Sequence, residues 1–247
     1  SYDPQNKPSD IDDNDAYSGA YINRLLTGLY TPGSTFKIVT AICAIENIPD
    51  IYDRTFKCTG EYDPGSGTPI ECNARHGTLT FEQALAKSCN STFAQIAIEL
   101  GPQKLADTAK ELGLTSKVTL NNDIDSSTGR FFLESEDADD YVGWTGIGQG
   151  DTLVSPIAML RLVGAIANDG TAVSLNLVEN FATKTGKALD IGFTAKETPL
   201  LSSDVAAKMK KLLKSNTVII TTKGFTFVQN QVLLKLIMLI RIILLGL

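Results

Sequence analysis

The sequence predicts an α+β domain. Three observations carry that reading: a strongly apolar helical segment from Pro32 to Glu46, a run of short strands and turns from Ile51 to Thr80, and helix and strand signals that keep mixing as far as Ser215. No internal repeat or heptad array breaks the pattern. With 247 residues and 43% hydrophobic content, the chain can bury one large core, or one core with an attached lobe. A formal net charge of -6 leaves no basic stripe to collect phosphates, which excludes nucleic acid as the main partner and favours a small or peptidic ligand.

The elements follow in order. Ser1 to Asn14 is polar, Asp-rich and without a charged-then-apolar signal pattern, so the chain is expected to begin in mid-protein. Pro32-Gly33-Ser34 opens a helix in which Phe36, Ile38, Val39, Ile42, Cys43 and Ile45 cover nearly every direction, and Asn47 and Pro49 close it. Such a helix is buried, with Ser34 at its first turn. Gly60, Pro64, Gly65, Gly67 and Pro69 punctuate the loop-rich excursion that follows.

Phe81 to Ala86 opens a helix, Ser91 to Leu100 supplies another, and Ser88, Cys89 and Asn90 fall at the break. Lys104 to Leu112 adds an amphipathic helix, and the polar stretch Asn121 to Asp140 reads as a surface loop. Gly146-Ile147-Gly148-Gln149-Gly150 reads as a tight glycine turn, and Pro156 to Asn168 as a helix stopped by Gly170. Val173 to Phe193 alternates like a hairpin turning at Thr185-Gly186-Lys187, and Leu201 to Ser215 is the last helix.

The candidate chemistry begins with Ser34-Thr35-Phe36-Lys37. Residues at i and i+3 share a helix face, so the Lys37 amine can reach the Ser34 hydroxyl and, in an apolar wall, act as its base. Alone, S-x-x-K arises by chance about once in a chain of this length. Ser88-Cys89-Asn90 offers a hydroxyl to relay a proton and a carboxamide to hold an amide, although both residue types also serve as ordinary helix caps.

Taken together, P-G-S-T-F-K, then His76-Gly77 and S-C-N about fifty residues on, then G-I-G-Q-G, Pro156 and an Ala-Asn-Asp-Gly helix end make a pattern. From about Tyr2 to Asn216 the chain resembles the penicillin-binding protein transpeptidases. The resemblance implies an antiparallel sheet flanked by helices, with an all-helical subdomain, as in the serine β-lactamase and transpeptidase fold. It implies that Ser34 forms an acyl-enzyme, that Lys37 takes its proton, and that Ser88 and Asn90 orient substrate and pass the proton on. The implied partners are peptidoglycan stem peptides and β-lactam antibiotics, with no cofactor, at the outer face of the bacterial membrane and tethered by a segment upstream. Alternatives on the same fold are a serine β-lactamase, a D,D-carboxypeptidase, or a non-catalytic β-lactam-binding relative. No E-x-x-L-N run follows S-C-N to position a deacylating water.

The family's third motif, K-T-G or K-S-G on a strand lining the pocket, follows the helix that corresponds to Leu201 to Ser215. Lys184-Thr185-Gly186 precedes that helix and sits at a hairpin turn, so it is read as turn chemistry. The resemblance therefore implies a partial transpeptidase domain over 1–216, incomplete and weakly active or inactive. From about Thr217 the composition changes: no Asp or Glu occurs after Asp204, and Val232 to Leu247 is almost pure Leu and Ile, broken by Lys235, Arg241 and Gly246. That run is too short and too charged for a membrane span, and the segment 217–247 is read as an anomalous tail from a shifted frame or a miscalled end.

The remaining candidates are weak. Cys43, Cys58, Cys72 and Cys89 include no C-x-x-C and accompany a single histidine, so they match no zinc spacing, and a Cys58 to Cys72 disulfide stays open. His76 is read as structural, Trp144 as core or groove wall, and Asp137, Asp139 and Asp140 lack the spacing of a calcium loop.

Overall fold

The computed structural model describes residues 4–121, 123–176, 181–189, 196–214, 218–222 and 225–229. Eight α-helices are described: α1 (Arg24–Thr27), α2 (Lys37–Asn47), α3 (Phe81–Ala86), α4 (Asn90–Leu100), α5 (Pro102–Glu111), α6 (Asp139–Gly146), α7 (Pro156–Ala167) and α8 (Ser203–Lys214). The strands are β1 (Thr55–Cys58), β2 (Glu61–Tyr62), β3 (Ile70–Glu71), β4 (Gly77–Thr80), β5 (Thr119–Leu120) and β6 (Ile124–Asp125), then β7 (Thr171–Val173), β8 (Phe181–Ala182), β9 (Ala188–Leu189), β10 (Glu197–Pro199), β11 (Val218–Thr222) and β12 (Phe225–Gln229). The class is α+β. Among the described residues, the strands pair as antiparallel two-stranded ribbons, β1 with β4, β2 with β3, β5 with β6, β7 with β10, β8 with β9 and β11 with β12.

Helix α2 is the centre of the core. Every residue from Lys37 to Ala44 is buried, and α4, α5 and α8 pack around it. A helix apolar all round can exist only inside, and each buried Ile or Phe side chain contributes about 1.5–3 kcal/mol. Thr80 opens α3 with a capping box: its hydroxyl accepts from the Gln83 N–H at 3.3 Å while the Gln83 side chain accepts from the Thr80 N–H at 3.0 Å. The β1–β4 ribbon feeds directly into that cap, with Thr55 paired to Thr80.

Two expectations change. Helix α6 begins at Asp139, inside the stretch read as a loop, and ends on Gly146, the first residue of the stretch read as a glycine turn. Gly146 serves close packing against α4, because a Cβ there would lie 2.2 Å from the Ala97 Cβ. The hairpin is also longer than its alternation suggested, since β7 pairs with β10 (Glu197↔Val173) and the β8–β9 ribbon forms its tip. Phe193, like the Val232 to Leu247 run, lies outside the described residues. All four cysteines are free thiols, so no Cys58 to Cys72 bond is formed. No helix among the described residues is long and apolar enough to cross a membrane.

Candidate active site

Ser34 sits in a 3-10 turn, Gly33–Phe36, that runs straight into α2. The turn is fixed from two sides: the Thr35 hydroxyl donates to the Pro32 carbonyl at 2.7 Å, and the Gly33 N–H donates to the Gly148 carbonyl at 2.9 Å. Gly148 adopts a φ of 79°, and a Cβ there would stand 2.1 Å from the Gly33 carbonyl oxygen. The glycine turn thus has a defined task, which is to let two backbones touch beneath the Ser34 turn. Ser34 itself is half-buried, so its hydroxyl can meet a ligand from solvent.

Lys37 is fully buried, one turn along, with its amine 6.0 Å from the centre of the Phe93 ring. Its Nζ lies 3.3 Å from Ser34 Oγ, 2.8 Å from the Ser88 carbonyl oxygen, 3.1 Å from Ser88 Oγ and 2.6 Å from Asn90 Oδ1. All four residues singled out in the sequence, Ser34, Lys37, Ser88 and Asn90, therefore meet at one nitrogen. Burial strips away the water that an ammonium needs, and these oxygens replace it.

The break between α3 and α4 is a Schellman turn. The Ser88 N–H donates to the Leu85 carbonyl at 3.0 Å and the Cys89 N–H to the Ala84 carbonyl at 2.9 Å. The left-handed position is occupied by Ser88, with φ 54°, where glycine is usual. A residue held in this strained region directs its carbonyl and its hydroxyl toward the Lys37 amine together. Asn90 is the first residue of α4 and not part of the break. Its Nδ2 donates to the Glu71 carbonyl at 2.9 Å, which leaves Oδ1 free to accept from Lys37 and fixes the orientation of the amide.

Lys184-Thr185-Gly186 lies at the tip of the β8–β9 ribbon. The Gly186 N–H donates to the Thr183 carbonyl at 2.9 Å, and Gly186 has φ 83°, both features of a tight turn. His76 lies with Cys58 and Cys72, its Nδ1 3.6 Å from each sulfur. Sequence reasoning missed the backbone anchor at Glu71 and the proximity of Cys72, whose Sγ accepts from the Asn90 N–H at 3.3 Å. Neither has a signal in spacing, because β3 and α4 meet only in three dimensions.

The sequence profile of the penicillin binding protein transpeptidase domain matches residues 1–226. The chain belongs to this family. Among curated relatives, the peptidoglycan D,D-transpeptidase PbpA of Mycolicibacterium smegmatis is 26% identical over 210 residues, covering 82% of this chain and 42% of the relative. Stage V sporulation protein D of Bacillus subtilis is 32% identical over 148 residues, covering 58% of this chain and 22% of the relative. Among solved structures, penicillin-binding protein A from M. tuberculosis, as its ceftriaxone acyl-enzyme, superposes with a TM-score of 0.73 at 25% identity, covering 86% of this chain and 50% of that one. The chain thus spans half or less of the length of each of these three proteins. In this transpeptidase domain, the turn at Ser34 opens the most deeply buried helix.

Proposed function

We propose that the chain is the acyl-transfer part of a peptidoglycan D,D-transpeptidase. One observation carries the proposal: the Lys37 amine contacts Ser34 Oγ, Ser88 and Asn90 at once. In the unprotonated state Lys37 accepts the Ser34 proton as Oγ attacks the penultimate D-Ala carbonyl of a stem peptide. Ser88 relays that proton to the departing D-Ala amine, and Asn90 holds the substrate amide. An amine of a second stem peptide then attacks the acyl carbonyl, and the C–Oγ bond breaks as Lys37 takes the amine's proton and returns it to Ser34 Oγ. A β-lactam ring opens on Ser34 by the first of these steps. The reading places the protein outside the cytoplasmic membrane, tethered through a segment that precedes these residues.

Acylation is expected to be slow as well as specific, because Lys184-Thr185-Gly186 occupies a turn and does not supply the donors of an oxyanion hole. Losing one such donor costs about 2.7–4 kcal/mol, or a factor of roughly 10²–10³ in rate. Incubation with a fluorescent penicillin, followed by peptide mapping, tests this. The expected result is a long-lived adduct on the Ser34 peptide that Ser34→Ala abolishes and Lys37→Met slows by about 10²–10⁴. An adduct that survives Ser34→Ala, or no adduct after prolonged incubation, refutes the assignment. Rapid multiple-turnover release of penicilloate would make the chain a β-lactamase instead.

A further inference from the structure

Arg161 is the single charged residue of α7, a helix otherwise built from apolar residues, and it is half-buried. Among the described residues it makes no ion pair. Burial alone pushes its guanidinium below the ordinary range, with no carboxylate near enough to hold it up. A charge drawn out of water without a partner is costly, so this one calls for an acceptor from outside the chain.

The guanidinium lines a pocket of about 480 Å³, within the range of small-molecule sites. Its walls come from the end of α5 with the turn into β5, from α7, and from the β7–β10 ribbon. Lys110 and Lys117 stand on the first wall and Lys196 on the last. Among the described residues Glu111 is the one carboxylate of the lining, and Lys117 is met from outside it by Asp125 at 3.1 Å. Four cations against these two acids leave an excess of two positive charges, in a chain whose formal net charge is -6.

The negative end of α5 does not oppose an anion here, because its last carbonyls are used in a Schellman turn. The Gly113 N–H donates to the Lys110 carbonyl at 2.9 Å, and the Leu114 N–H to the Ala109 carbonyl at 3.0 Å. Gly113 has φ 76°, and a Cβ there would stand 3.1 Å from Arg161 Nη1. The glycine thus ends the helix and leaves room for the guanidinium. Ser116 and Thr198 add hydroxyl donors to the lining.

We propose that this pocket binds a phosphomonoester, with the Arg161 fork on two phosphate oxygens and Lys110 and Lys196 as flanking charges. A phosphomonoester carries about −1.5 to −2 at neutral pH, which matches the excess of positive charge. The planar guanidinium fits its oxygens in pairs, and the volume leaves room for the group that carries the phosphate. Bound there, the ligand would tie the α5–β5 turn to the β7–β10 ribbon. No lining residue belongs to the cluster around Lys37, so the site does not rest on the acyl-transfer reading.

Titration calorimetry of the full chain with glycerol 3-phosphate tests the proposal. Dimethyl phosphate, a singly charged diester, and succinate, a dianion without phosphate, serve as comparisons. Saturable binding is expected, at least about tenfold tighter than for either comparison. Arg161→Gln should weaken it by about 10–100-fold and Lys196→Gln by about two- to fivefold. Lys187→Gln, at the tip of the β8–β9 ribbon, should leave it unchanged. Lys196 is exposed, so its variant still reads the pocket if Arg161→Gln does not fold.

Glycerol 3-phosphate is also the headgroup of phosphatidic acid, and phosphatidylcholine vesicles with about one-fifth phosphatidic acid identify the source. Arg161-dependent cosedimentation assigns a lipid headgroup, whereas binding of the free compound alone assigns a soluble phosphomonoester. No heat at millimolar glycerol 3-phosphate, equal affinity for either comparison, or unchanged binding in both Arg161→Gln and Lys196→Gln overturns the proposal. Calorimetry does not read acylation, so failure here is distinct from failure of the transpeptidase reading.

Discussion

Ser88 shows how a single residue trades stability for position. Its left-handed backbone costs about 1–2 kcal/mol relative to glycine, while its hydroxyl, within 3.1 Å of Lys37 Nζ, returns about 0.5–1.5 kcal/mol as a buried hydrogen bond. Ser88→Gly removes both contributions, so its unfolding midpoint should stay close to that of the parent. Ser88→Ala removes the hydrogen bond and keeps the strain, so it should be less stable than Ser88→Gly by about 1 kcal/mol. Both should lose penicillin acylation by about 10²–10⁴, since both lack the proton relay. Urea unfolding beside acylation kinetics separates the two effects. Equal stabilities for the pair, or normal acylation in either, would show that Ser88 is only a cap. Cys43 makes the contrast clear: burial pushes its thiol up to about 11, and it remains an inert core residue between α2 and α5.

Among the elements, the Gly33–Phe36 turn and the glycine turn at Gly148 act as one unit, joined by the Gly33 to Gly148 hydrogen bond of 2.9 Å. Gly148→Ala should therefore weaken the fold and move Ser34 together. By contrast Gly164 is exposed on α7, where an added Cβ would meet no atom within 4 Å, so Gly164→Ala should gain about 0.5–1 kcal/mol. Thermal unfolding and acylation of the two variants make the test, and a Gly148→Ala protein with parental acylation would disprove the coupling. Much at this scale was legible in the sequence. The Pro32–Glu46 helix, its opening at Ser34 and the pause at Ser88 all follow from local rules: an all-round apolar pattern, Pro-Gly before a helix, and polar residues at a break. Helix α6 was not legible, because Gly143 and Gly146 look like breakers until Ile70 and Ala97 are seen packed against them. Asp139 and Asp140 in its first turn were the available signal. The gathering of Cys58, Cys72, His76 and Cys89 was hidden for a related reason, since the first three stand at strand ends whose pairing no linear spacing encodes.

Across the whole molecule, the parts of the site differ in how deeply they are rooted. Lys37 stands on α2 and Asn90 opens α4, which packs against α2, whereas Ser88 lies in the turn between α3 and α4. Local opening free energies run from near zero in small exposed elements to the full stability of the domain in its core, about 5–15 kcal/mol. The amides of α2 can exchange with solvent only when the core around α4, α5 and α8 opens. The β8–β9 ribbon has two residues in each strand, so opening it breaks few backbone hydrogen bonds. Hydrogen exchange followed by mass spectrometry should therefore place α2 amides at least about 10³-fold slower than those of 181–189, after correction for intrinsic rates. The turn at Ser88 should fall between them. If α2 exchanges as fast as the ribbon, the serine and its base do not share a rigid core, and the geometry argued for acyl transfer loses its foundation.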